Sequence, residues 1–234
     1  MRRFLLFATI AFCVSPPLPG TSLSFWSDVP DERLVDELLA EMTPEEKVGQ
    51  LFLVGWPAEG PPDELVEWIQ RRNIGGVKVF GWNGNNLSQL TSEITRFQGY
   101  ARDSRLGIPL FVATDQEGGW VRHVKGSTSL TAGNISLGAS GRPEDAYITG
   151  QLIGEELRRL GINMNFAPTV DVYVNPEAHV IGPRAFSSDP WQTAMLAAAY
   201  FRGLEEKRVI ATAKHFPGHG NAQGDSHGML PVLS

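Results

Sequence analysis

Cysteine is almost absent: the 234 residues contain one, Cys13. A disulfide or a thiolate metal cluster needs at least two, so both are excluded. Positive charge is not in excess either, since 20 Lys and Arg face 26 Asp and Glu for a formal net charge of -6. Binding to nucleic acid depends on a cationic face that neutralises phosphates, so nucleic acid is excluded as a partner. Nowhere does the chain carry the roughly 20 consecutive apolar residues that a permanent membrane helix requires. The 25 Gly and 16 Pro are scattered rather than periodic, which excludes collagen-like and low-complexity architectures.

What remains is an ordinary globular composition, 42% hydrophobic and 20% charged, in a chain long enough to bury one large core without covalent staples. The N-terminus stands apart. Met1-Arg2-Arg3 leads into the apolar run Phe4 to Val14 and then into Ser15-Pro16-Pro17, the order of a basic segment, a short apolar segment and a break that marks an export signal. Residues 1–24 are therefore expected to direct export to a periplasmic or extracellular location, leaving 25–234 as the folded domain. Processing would remove Cys13, so no thiol nucleophile is expected in the mature chain.

Beyond that point, apolar runs of strand length alternate with amphipathic stretches of helix length, the pattern of successive βα units around a parallel sheet. Strands are expected at Gln50 to Gly55, Gly76 to Phe80, Pro109 to Thr114, Ile162 to Ala167 and Val209 to Lys214. Helices are expected at Asp31 to Met42, Pro62 to Arg72, Leu87 to Asp103, Pro143 to Leu160 and Pro190 to Lys207, with a short one opening at Thr43-Pro44-Glu45-Glu46. The fold class is α/β of the (β/α)8 TIM-barrel type, incomplete, with about five of eight βα units present. Each strand runs into a polar, glycine-rich loop, and in this architecture those loops carry function.

The densest chemistry lies at Lys214-His215-Phe216-Pro217-Gly218-His219-Gly220, followed by Asp225-Ser226-His227. His215, His219, His227 and Asp225 have the chemistry of zinc ligands. Pro217 and Gly218 argue against that reading, because they break the helix that would put two imidazoles on one face. No metal or cofactor is expected. The glycines here have the wrong spacing for a dinucleotide fingerprint.

Four segments together carry a resemblance: Asp115-Gln116-Glu117-Gly118-Gly119, Asn165-Phe166-Ala167-Pro168, Arg184-Ala185-Phe186-Ser187-Ser188-Asp189-Pro190, and Lys214 to Gly220 with Asp225-Ser226-His227. From about Leu34 to the last residue the chain resembles glycoside hydrolase family three, and Asp-Ser-His in the loop after the fifth strand resembles its β-N-acetylglucosaminidase branch. The resemblance implies a retaining glycosidase acting on β-linked N-acetylglucosamine in cell-wall glycan. It further implies Asp115, Arg184, Lys214 and His215 as sugar-binding groups, His227 as general acid and base, and Asp225 as the carboxylate that orients His227. An imidazole titrating near neutrality is suited to giving and then taking a proton.

Two departures accompany this resemblance. The family's nucleophilic aspartate belongs to a loop after a seventh strand, and Asp171, Asp189 and Asp225 do not have its context. The chain alone is therefore expected to lack hydrolase activity, and its partners would be the glycan and a separately encoded C-terminal piece. After Gly119 the positions read Trp120-Val121-Arg122-His123, where the family pattern has a basic residue next. A non-catalytic carbohydrate-binding remnant is the alternative to the glycosidase, and a metal-dependent hydrolase using His215, His219 and His227 ranks behind both.

Overall fold

The computed structural model describes residues 23–222 and 224–232. The export signal expected over 1–24 lies outside them except for its last two positions, and Cys13 lies outside them entirely. In chain order the strands are β1 (Leu53–Gly55), β2 (Gly76–Val79), β3 (Phe111–Thr114), β4 (Gln116–Gly118), β5 (Val121–Arg122), β6 (Met164–Asn165) and β7 (Ile210–Ala211). Five of them, β1, β2, β3, β6 and β7, form one parallel sheet in that spatial order. The short pair β4 and β5 is an antiparallel ribbon hung from the end of β3.

The helices are α1 (Asp31–Glu41), α2 (Pro44–Gly49), α3 (Asp63–Arg72), α4 (Leu87–Arg102), α5 (Asn134–Ser140), α6 (Pro143–Arg159) and α7 (Pro190–Glu206). Helices α3, α4, α6 and α7 are the crossovers that return the chain from one parallel strand to the next. Their starts are written in the sequence. Thr43 Oγ1 accepts the Glu46 N–H at 3.2 Å while Glu46 Oε2 accepts the Thr43 N–H at 2.9 Å, a complete capping box. Asn86 Oδ1 caps α4 through the Gln89 N–H at 3.1 Å, and Asp189 Oδ1 caps α7 through the Gln192 N–H at 2.8 Å. Gly161, at φ +84°, takes the left-handed turn that ends α6 and sends the chain into β6.

The core lies between sheet and helices. Val77, Val79, Val112 and Ala113 are fully buried, as a parallel strand covered on both faces should be, and Leu65, Ile69, Leu90, Phe97, Leu157 and Tyr200 pack over them from the crossover helices.

The strands are shorter than expected, for local reasons. Gln50 closes α2 through its N–H to Glu46 O at 3.1 Å, and Leu51 and Phe52 continue that turn, so β1 begins only at Leu53. Ile162 N–H reaches back to Leu157 O at 3.0 Å, which postpones β6 to Met164. After β7, Lys214 rejoins the sheet as an isolated bridge to Thr169. The ribbon β4–β5 and helix α5 were not anticipated. Gly118 and Gly119, at φ +89° and +57°, turn what reads as a plain glycine loop into that ribbon.

Helices α6 and α7 cross with backbones in close approach. A Cβ on Gly150 would stand 2.2 Å from Tyr200 O, and one on Gly203 2.3 Å from Tyr147 O. The neighbour in each case is main chain and cannot rotate away. Gly150→Ala gains up to about 1 kcal/mol of helix propensity but forces the helices apart, which costs about 1–3 kcal/mol or more. A net loss of stability is expected, read as a lower urea midpoint, and a higher midpoint would contradict the close crossing.

Candidate functional site

The residues expected to bind or act come from four places. Asp115 follows β3 directly. Arg184 ends a 3-10 turn, Gly182–Arg184. Lys214 and His215 follow β7, and Asp225 and His227 lie on the loop beyond. One cavity of about 410 Å³ at this end of the sheet is lined by Asp115, Arg184, Lys214, His215 and His227 together. Asp225 is joined to it through His227, whose Nδ1 stands 2.6 Å from Asp225 Oδ1.

At its floor the site is a chain of alternating charges. Lys214 Nζ lies 2.7 Å from Asp115 Oδ1 and 2.5 Å from Glu117 Oε1. Lys78, from β2, bonds the other oxygen of Asp115. Arg184 grips Glu117 with two parallel bonds, Nε to Oε2 at 3.0 Å and Nη2 to Oε1 at 2.8 Å, and donates from Nη1 to Val180 O at 2.8 Å. Thr169 Oγ1 donates to Glu117 Oε2 at 3.0 Å. With a side chain only 2% exposed, Glu117 is a buried anion satisfied on every side.

These pairings set the titration of the site. Burial pushes the Asp115 and Glu117 carboxyls up, but the cations around them reverse the effect. Lys214 and Lys78 hold Asp115 below the ordinary carboxylate range, and Arg184 and Lys214 do the same for Glu117. Arg184 is raised in turn, because its bonds to Glu117 outweigh the burial that disfavours its charge. His123, 3.7 Å from Asp115 Oδ2, is held below the usual imidazole value by burial and by Lys78.

His215 is fixed at both nitrogens, Nδ1 at 2.6 Å from Asp171 Oδ2 and Nε2 at 3.2 Å from Arg184 Nη2. Asp171 Oδ1 accepts the His219 N–H at 2.5 Å, and His219 Nε2 lies 3.0 Å from Ser226 Oγ. Asp171 is also held below the ordinary carboxylate range: burial raises it, but the bonds from His215 and His219 more than compensate. By contrast the Asp225–His227 pair stands in solvent, with the His227 side chain 81% exposed. The His227 N–H bonds Asp225 Oδ1 at 2.9 Å, and that bond, with the ring contact, holds the Asp225 carboxyl low.

Among the described residues no group of three or more His, Cys, Asp and Glu side chains is placed to hold a metal ion. Both nitrogens of His215 have partners, Asp171 and Arg184, and His219 Nε2 meets Ser226, whereas His219 Nδ1 is buried without a hydrogen bond.

Four residues of the site escaped the sequence reading. Lys78, Glu117, His123 and Asp171 all touch groups that were anticipated. Lys78 had a visible signal, since a lysine between Val77 and Val79 in a buried strand is improbable unless it meets an anion. Its ammonium also sits 4.1 Å over the Phe80 ring. Trp120, for which packing is the ordinary expectation at a strand tip, is instead 78% exposed.

Comparison with known proteins adds an independent line. The family model for the glycosyl hydrolase family 3 N terminal domain matches residues 43–234. Beta-hexosaminidase A of Pseudoalteromonas piscicida is 45% identical over 175 residues, 73% of this chain and 29% of that protein. Beta-hexosaminidase LpqI of Mycobacterium tuberculosis is 34% identical over 198 residues, 80% of this chain and 46% of that protein. Among solved structures, a family 3 beta-N-acetylglucosaminidase from Paenibacillus sp. str. FPU-7 superposes with a TM-score of 0.78 at 38% identity, covering 82% of this chain and 36% of that one. The chain thus spans less than half the length of these relatives.

The titration directions predict how stability depends on pH. Asp115, Glu117 and Asp171 have folded-state pKa values below their unfolded ones, so their contribution is fully present above the unfolded carboxylate range near ~4 and is lost as pH falls through the folded values. His123 is depressed as well, so its share is lost on acidification below about 6.5, the unfolded imidazole value. Urea unfolding should therefore show stability declining in two stages, the upper between pH 7 and 5. His123→Asn should flatten the upper stage and leave the lower one. An unchanged upper stage would rule out His123 as its source.

Proposed function

Because the chain belongs to glycosyl hydrolase family 3, we propose that its cavity binds a terminal β-linked N-acetylglucosamine and serves hydrolysis of the bond that joins it to the next unit. The observation that carries this reading is the convergence of Asp115, Arg184, Lys214, His215 and His227 on one cavity of about 410 Å³ at the strand ends. A pyranose presents several hydroxyls that both donate and accept, and this wall offers carboxylate, ammonium, guanidinium and imidazole within a single ring's reach. The beta-hexosaminidases and the beta-N-acetylglucosaminidase that the chain resembles point to the same sugar.

In this reading His227 is the general acid and base. Its Nδ1 faces Asp225, which leaves Nε2 free to protonate the departing glycosidic oxygen and later to take a proton from water. Loop position fits the task, since an exposed imidazole can swing onto a bound substrate and exchange its proton with solvent. The nucleophile is contributed by polypeptide other than these 234 residues, continuous with them or separately encoded. Each candidate here is otherwise engaged: Asp171 is buried against His215, Asp189 caps α7 and Asp225 is bound to His227. That same observation favours, as a second reading, a carbohydrate-binding protein without chemistry. The finer proposals are cell-wall glycan as the substrate and an exported location, supported by the basic and apolar order of residues 1–24.

Calorimetric titration of the full chain with N-acetylglucosamine tests the binding half, and Asp115→Ala should abolish the signal. No binding by the unaltered chain would sink the proposal. In a catalytically complete protein, His227→Ala should lower kcat by about 10²-fold or more. Aryl glycosides whose leaving groups need no proton should lose much less, and an equal loss for both leaving groups would remove His227 from the role of acid.

A further inference from the structure

Asp171 lines no part of the sugar cavity, and its side chain is wholly buried, yet two of the site's loops end on it. One carboxylate oxygen, Oδ2, meets His215 Nδ1 at 2.6 Å, and the other, Oδ1, accepts the His219 N–H at 2.5 Å. On its far side His215 presents Nε2 to Arg184 Nη2 at 3.2 Å. A guanidinium nitrogen donates and never accepts. His215 Nε2 is therefore the acceptor, the ring's proton sits on Nδ1, and Asp171 receives it.

We infer that Asp171 is the positioning residue of this site: it holds His215 in the Nδ1–H form, so that Nε2 accepts from Arg184, and pins the loop that leads to the acid and base. The first arm completes a relay from Asp171 through His215 and Arg184 to Glu117. It fixes the rotation of the imidazole, and with it the ring surface that lines the cavity. The second arm works through main chain. His219, anchored by its N–H on Asp171, places its ring 3.0 Å from Ser226 Oγ, the residue between Asp225 and His227. One buried anion therefore orients a binding group and the approach of the acid and base, in the way that an outer carboxylate fixes the tautomer of a working imidazole elsewhere.

The chemistry of the amide makes the inference sharp. Asp171→Asn keeps the shape but replaces one acceptor by a donor. If the amide oxygen keeps the His219 N–H, its NH₂ faces His215 Nδ1 and drives the ring proton to Nε2, opposite an Arg184 N–H. If the amide turns over, its NH₂ opposes the His219 N–H instead. Either orientation sets a donor against a donor.

The functional consequence rests on the cavity being a sugar site, whereas the tautomer rests on geometry alone, and the experiment separates them. In the full chain with ¹⁵N-labelled histidine, long-range proton–nitrogen correlation near neutral pH should show His215 protonated at Nδ1 and not at Nε2. A ring carrying its proton on Nε2, or on both nitrogens, would overturn the inference without any variant being needed. Asp171→Asn should weaken N-acetylglucosamine binding about tenfold, which is about 1.4 kcal/mol, and should move the His215 proton to Nε2 wherever the amide oxygen keeps the His219 N–H. An unchanged tautomer with unchanged affinity would also overturn it. Asp115→Ala should abolish sugar binding while leaving the His215 tautomer as it was. Retained binding in that variant would defeat the sugar reading, with the tautomer still decided by the spectrum.

Discussion

The structure is organised around the burial of one carboxylate. Glu117 lies in β4, beneath the cavity and almost out of reach of water, and an isolated anion there would be neutralised or would unfold its surroundings. It stays charged because Arg184 and Lys214 both bond to it. Those two cations are 67 and 97 residues away along the chain respectively. Meeting them draws the turn before α7 and the loop after β7 onto the ribbon that follows β3. Removing one member of such a buried pairing costs about 3–5 kcal/mol, a large fraction of what holds an average domain together. The lining of the cavity and the stability of this end of the sheet are therefore one interaction with two consequences.

Support for Glu117 reaches back into the helical layer. Tyr200, fully buried on α7, aims its hydroxyl at the carbonyls of Glu117 and Gln116, at 3.1 and 3.3 Å. Asn165 of β6 exchanges two bonds with the Gln116 main chain, accepting its N–H and donating to its carbonyl, each at 2.9 Å. The ribbon is thus held from a helix on one side and from a neighbouring strand on the other. Its position follows from the close crossing of α6 and α7, which sets where Tyr200 can stand.

Much of this was legible in the residues. Alternating apolar runs and capping signals such as Thr43-Pro44-Glu45-Glu46 specify helices and a parallel sheet through local chemistry, and the order of β1, β2, β3, β6 and β7 follows from short crossovers between neighbours. Asp115, Arg184, Lys214, His215 and His227 were legible as a group only through the family resemblance, and the structure places all five around one cavity. Lys78, Glu117 and Asp171 were harder to find, for a common reason. Their roles are defined by partners 37 or more residues distant, and nothing local distinguishes a buried glutamate in Asp-Gln-Glu-Gly-Gly from a solvated one. The strand boundaries shrank where a helix's closing turn took the residues first, as at Gln50 and Ile162, a competition that apolar runs do not reveal.

Asp115 is flanked by two lysines, with Lys214 on one oxygen and Lys78 on the other. With an ammonium group at each oxygen the charge of this carboxylate is already compensated, and a further protonated amine brought to it would stand close to two like charges, which repel strongly where water is scarce. A neutral hydroxyl suffers no such penalty. The geometry of this corner is thus matched to neutral polar groups and not to a further cation.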